Sequence, residues 1–209
     1  MLKRLAALTV LAVGSVTTAH AASVSGYFSA TGTDQFTTNT IQFFSSQING
    51  ALGGDFATYL SQGTAINFLS GALPYTQGTN NLPPNPPFTS GFVPLFTING
   101  SGGEVFTFDM TNYSATYITN NTLGCGSGST CLNASGSGFF TASGPLSGTS
   151  GPATFTFTSQ YAPGQAVATL TSFSASSSAL AATPEPASLA LVGSGLLGVV
   201  ALARRKFAV

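Results

Sequence analysis

Residues 153–159 read "ATFTFTS", with a large ring at every second position from Phe155. In an extended chain successive side chains point to opposite faces, so Phe155 and Phe157 share one face and Thr154, Thr156 and Thr158 the other. One face is built for a core and the other for water. The stretch is therefore expected to be a half-buried antiparallel strand, and its period recurs along the chain. "EVFTFDM" turns Phe106, Phe108 and Met110 inward, and "NYSATYI" does the same with Tyr113, Ala115 and Tyr117. Further strands are expected at 24–29, 40–44, 65–69, 92–98, 138–142 and 167–173, with a helical turn over 55–62.

Asn99-Gly100, Gly102-Gly103 and Ala162-Pro163-Gly164 supply turns between these segments. Residues 80–94, "NNLPPNPPFTSGFVP", hold too many prolines for a central strand and read as a long surface loop. Short strands with Gly and Pro punctuation predict an all-β fold, an antiparallel two-sheet sandwich of jelly-roll type. This ectodomain is expected over 22–174, with a flexible Ser/Ala tether, "ASSSALAA", over 175–182.

Five Lys and Arg balance five Asp and Glu in the 209-residue chain, yet the two signs are segregated. Lys3, Arg4, Arg204, Arg205 and Lys206 all lie at the ends, and no Lys, Arg or His occurs from Ala21 to Ala203. The acids Asp34, Asp55, Glu104 and Asp109 make the body a weak polyanion. A surface without cations does not neutralise phosphates, so a nucleic-acid partner is excluded.

The ends read as addresses. Lys3 and Arg4 precede an apolar run of about a dozen residues, and Ala19-His20-Ala21 supplies the small residues of a cleavage site. Residues 1–21 are thus expected to be a signal peptide, which takes the sole histidine with it. At the other end, 187–203 is an uncharged run of 17 residues. As a helix it would measure about 25 Å, enough to cross a membrane with slight thinning. The basic tail Arg204, Arg205 and Lys206 would keep its end cytoplasmic.

Pro184-Glu185-Pro186, followed by Ala187-Ser188, the apolar run and the basic tail, resembles the PEP-CTERM sorting signal, here over 183–209. That resemblance implies an exosortase-type transpeptidase as partner, in a Gram-negative bacterium that makes extracellular polysaccharide. It also implies a transient stay in the inner membrane and then delivery to the cell surface or matrix. Thr183 stands where the family often has Val.

Cys125 and Cys131 bracket "GSGST". Two cysteines in an exported chain predict a disulfide, and closing so short a loop stabilises by about 2 kcal/mol. Without His they are half a zinc site, and no metal or cofactor is expected. Ser-His-Asp and Cys-His catalysis both need a base that the body lacks. Glu104 and Asp109, five residues apart on one strand, would face opposite ways about 16 Å apart, unlike a glycosidase pair. Asp109 with Asn112, or Glu104 in its Gly-rich turn, offers calcium only scattered oxygens. No catalysis is expected.

The resulting reading is a structural or adhesive protein of an exopolysaccharide-rich coat. Glycan binding through Tyr27, Tyr59, Tyr75, Tyr113, Tyr117 or Tyr161 is the second reading and a carboxylate-based hydrolase the third. With no Lys to guard strand edges, segments such as "ATFTFTS" are also expected to pair between molecules.

Overall fold

The computed structural model describes residues 23–69, 71–79, 92–119 and 125–182. Ten strands and one helical turn follow each other as β1 (Gly26–Phe36), β2 (Thr40–Gly54), α1 (Asp55–Tyr59), β3 (Ala65–Phe68), β4 (Leu73–Pro74) and β5 (Val93–Asn99). Then come β6 (Val105–Thr119), β7 (Thr130–Ser143), β8 (Gly148–Thr149), β9 (Ala153–Tyr161) and β10 (Thr171–Ala179). All pairings are antiparallel, in the order β1-β10-β9-β7-β6-β5-β3-β2, and β1 also pairs with β2. The eight strands therefore close into a barrel, with β4 added to β2 and β8 to β7.

Closure corrects the sandwich expectation. The all-β class and its antiparallel pairing stand, but the sheet is a single wall in which each long strand bonds its successor and the last bonds the first. A sandwich would leave β1 and β10 as free edges; here Gly26 to Asp34 run in register against Ala179 to Thr171. Bulges between Phe28 and Ala30 and between Gly32 and Asp34 break the β1–β2 register, and such irregularities add the local twist that lets a sheet curl shut. Closure also gives β1 and β10 partners on both sides. β9, which contains "ATFTFTS", is bonded on one side to β7 and on the other to β10.

The tether expectation is corrected too. Residues 171–179 form β10, a full stave of the wall, and backbone bonding continues beyond it. The Gly151 N–H donates to the Leu180 carbonyl at 2.8 Å and the Leu180 N–H to the Pro152 carbonyl at 3.1 Å. The Ala182 N–H then donates to the Ser23 hydroxyl. Small residues explain the difference. Ala175, Ser177 and Ala179 face inward, where their size leaves room for the rings of other strands.

Those rings fill the interior. Phe28, Phe96, Phe106, Phe108 and Phe140 are fully buried, and Phe96 stacks on Phe108 at 5.4 Å between centroids. Phe43 stacks on Phe68 at 4.2 Å. The sequence periods hold here: Phe106, Phe108, Met110, Phe155 and Phe157 are all inside. A void of about 20 Å³ beside Ile41, Phe43 and Met110 holds one water at most. Small residues are as necessary as large ones. A Cβ on Gly138 would stand 2.0 Å from the Asp109 carbonyl oxygen, so only glycine lets β7 approach β6 at the Met110–Asn112 bulge.

One hydroxyl ties the end of the barrel together. The Tyr161 Oη accepts from the Phe36 N–H at 2.9 Å and from the Ala168 N–H at 3.1 Å, and donates to the Phe36 carbonyl at 2.7 Å. It thereby holds Ala168 at φ 67°, a left-handed conformation that costs a non-glycine residue energy. Tyr161→Phe should lower stability by about 2 kcal/mol in urea unfolding, because it leaves buried backbone groups without partners. A loss below about 0.5 kcal/mol would show that water replaces the hydroxyl.

Candidate functional site

Among the described residues the interior is packed with apolar side chains, and most polar groups lie on the outside of the wall. β6, β7, β9, β10 and β1 lie side by side, and their outward residues form rows across the strands. One row is Ser114, Ser135, Thr156, Ser176 and Ser29. The next is Thr116, Asn133, Thr158, Ser174, Thr31 and, on β2, Gln47. On the other side run Asn112, Ser137, Thr154, Ser178 and Tyr27. Neighbours in a row are about 4.8 Å apart and rows about 6.8 Å apart. No member is charged.

The hydroxyls order one another. Thr154 bonds Ser178 at 3.0 Å, Thr156 bonds Ser176 at 2.9 Å and Ser114 meets Ser135 at 3.2 Å. Cross-strand pairs of this kind stiffen the face and fix where each oxygen points.

At one end of the face the wall is indented on both sides of β10. Two clefts of about 440 and 430 Å³ share Ser172, Phe173 and Ser174. The first is bounded by Asn133, Thr158, Gln160 and the cysteines, and the second by Thr31, Thr33, Ser45 and Gln47. Phe173 is buried beneath both, so each cleft has polar sides over an apolar floor. The Cys125–Cys131 disulfide is present, its Cα atoms 5.7 Å apart, and packs on Ile118 outside the main core.

The four described acids do not meet in one site. Asp55 Oδ2 accepts from the Ser25 N–H at 2.7 Å and from its hydroxyl, fixing the start of β1 to α1. Glu104 folds over its own turn and accepts from the Gly102 N–H at 3.0 Å. Asp109 Oδ2 accepts from the Thr141 hydroxyl at 3.0 Å; burial raises its pKa and that bond partly offsets the rise. Asp34 is fully buried inside the barrel. Its Oδ1 accepts from the Ser159 hydroxyl at 2.7 Å while Oδ2 has no partner, and burial pushes its pKa up to about 6 against the pull of that bond. Among the described residues no three His, Cys, Asp or Glu side chains cluster around a point where a metal could sit.

The tyrosines divide as sharply. Tyr75, Tyr113 and Tyr161 are buried, with phenol pKa values raised mainly by burial, that of Tyr113 to about 12. Tyr75 and Tyr113 donate to the Thr37 and Pro74 carbonyls. Tyr59 and Tyr117 pack against the core. Tyr27 alone of the six is half exposed, at 51%, and it stands at the end of a hydroxyl row. The period of β1 is the signal that marks it, since Phe28 and Ala30 face inward. The hydroxyl rows are visible in the sequence only strand by strand, because their register depends on pairing.

Ala19 and Ala21, Pro184 to Ser188, the run 187–203 and Arg204, Arg205 and Lys206 lie outside the described residues. No described helix is long and apolar enough to cross a membrane. The fold and site thus define a closed antiparallel barrel with a solid aromatic core and a neutral, hydroxyl-lined outer face. Residues 182–206 match the PEP-CTERM protein-sorting motif. The chain accordingly carries the sorting signal of an exported protein that exosortase handles at the membrane on its way to the cell surface. No curated protein and no solved structure matches the chain.

Proposed function

We propose that the barrel is a structural and adhesive component of an exopolysaccharide-rich coat, without catalytic activity. Exosortase-type processing near Pro184–Pro186 at a Gram-negative inner membrane would deliver it there. The observation that carries this reading is the outer face, where three rows on five strands present neutral hydroxyl and amide groups in fixed register. Such a face exchanges hydrogen bonds with a polyhydroxyl matrix at little desolvation cost, and each contact is weak. Many weak contacts, repeated over many copies, make a matrix cohere. The aromatic packing supports the same reading, because among the described residues the void beside Ile41, Phe43 and Met110 is only about 20 Å³.

The test is fractionation of cells that make the exopolysaccharide and of cells that do not. The processed protein should co-sediment with the coat in the first and appear free in the medium of the second. Association with the coat should persist in about 1 M salt, because neutral contacts are not screened. Equal distribution in the two strains would overturn the proposal.

A further inference from the structure

Resting on the coat reading, we propose a more specific site. The seam between β1 and β10 binds a single neutral polysaccharide chain, with Tyr27 as the stacking platform at one end and the clefts beside Ser172–Ser174 at the other. From Tyr27 to Thr33 the seam runs about 20 Å, long enough for several sugar rings in a row. Ser29 and Thr31 on β1, with Ser178, Ser176 and Ser174 on β10, line it between those ends.

Tyr27 is built as a platform. A Cβ placed on Gly53 would fall 2.3 Å from the Tyr27 ring, so the hydroxyl end of the ring rests against that glycine of β2, with Ser178 of β10 on the other side of β1. Glycine leaves room there for the ring, which is half exposed. Aromatic faces beside ordered hydrogen-bonding groups suit sugars, which carry apolar C–H faces and equatorial hydroxyls on the same ring. At the other end Asn133 and Gln47, both exposed, place an amide in each cleft. An amide both donates and accepts, as a sugar hydroxyl does.

Charge selects the class of chain. The described body holds acids and no cation, so an anionic polysaccharide would find no counter-charge on it. A second copy of this protein is a poorer occupant than a glycan, because the seam offers one exposed ring where stable protein interfaces bury an apolar centre.

The experiment is affinity electrophoresis of the full chain in gels cast with dextran, laminarin or a neutral galactan, with alginate as the anionic control. At least one neutral polymer should retard the protein and alginate should not. Tyr27→Ala should weaken retardation about tenfold, as loss of an aromatic anchor does. Asn133→Ala and Gln47→Ala should each weaken it about threefold. All three positions are exposed, and unchanged melting of the variants would confirm that only the surface has altered. Retardation by none of the neutral polymers, or equally by alginate, would overturn the site. So would retardation indifferent to all three substitutions, or light scattering that shows a dimer abolished by Tyr27→Ala. If Tyr27→Ala still co-sediments with the coat as the wild type does, the coat reading stands and the seam falls. If the seam binds a neutral glycan in gels but distribution in cells ignores the exopolysaccharide, the seam stands and the coat reading falls.

Discussion

Phe56→Ala should destabilise the barrel by about 4 kcal/mol, the largest loss expected from truncating one side chain. α1 has five residues and buries one side chain, Phe56, which is wholly inaccessible. Its ring meets Phe140 at 4.9 Å and Phe28 and Phe106 at 5.3 Å, all edge to face. These three rings come from β7, β1 and β6, so one side chain from outside the wall links strands that do not all touch. Truncation removes the transfer energy of a whole ring, and three other rings lose the partner they pack against. Rigid strands on every side prevent collapse into the space. Phe56→Leu keeps most of the volume and should cost about 1 kcal/mol. Urea unfolding of the two variants checks the order. Because the Phe56→Ala cavity would be dry and ring-shaped, saturating benzene should restore part of the loss. Equal stability of the two variants would show that the Phe56 ring does not hold these strands together.

Sequence patterns disclose the parts of this barrel where large and polar residues alternate. Phe106, Phe108, Met110, Phe155 and Phe157 lie inside as their period requires. Period fails where the inward residues are small. β10 includes Ser172-Phe-Ser-Ala-Ser-Ser-Ser-Ala179, and its inner positions Ala175, Ser177 and Ala179 carry no hydrophobic signal of their own. The value of those residues lies in volumes supplied by other strands. The first half of β7, with Asn133, Ala134, Ser135 and Gly136, escapes notice for the same reason, and the strand expected at 138–142 extends back to Thr130. Closure itself is a property of pairs. Nothing in β1 or β10 separately states that they bond each other, and so a sandwich is the natural expectation from alternation alone.

The candidate site shows the same division. The disulfide partners are legible as two cysteines in a short loop, and the structure joins them. The seam is not legible, because it depends on Tyr27 standing beside Ser178 and against Gly53, a juxtaposition of residues 27, 53 and 178. Spacing does not assign the acids their individual roles. Asp34 by itself resembles a solvated surface carboxylate. It sits in the alternation of β1 at an inward position, between Gly32 and Phe36, and that register is the signal that places it inside.

The inward placement of Asp34 has a thermodynamic consequence with a definite sign. Its folded pKa of about 6 lies above the ordinary 3.8, chiefly because burial penalises the charged form. Between those values the folded chain holds a proton that the unfolded chain releases. The stability linked to this group is therefore fully present below about pH 4 and is lost as pH rises through about 6. The difference between 3.8 and about 6 corresponds to about 3 kcal/mol. The groups facing the carboxyl offset this only in part. Ser159 donates one hydrogen bond, Oδ2 has no partner, and the Tyr161 phenol is itself made harder to ionise by Asp34. Asp34→Asn keeps an oxygen to accept from Ser159 and is neutral at every pH. It should match the wild type at about pH 4 and exceed it by about 2–3 kcal/mol at about pH 8, in urea unfolding curves at both values. Asp109 is also raised by burial and will tilt both proteins alike, so the difference between them isolates Asp34. Parallel curves across that range would mean that Asp34 does not titrate within it and that its carboxylate finds a partner in solution.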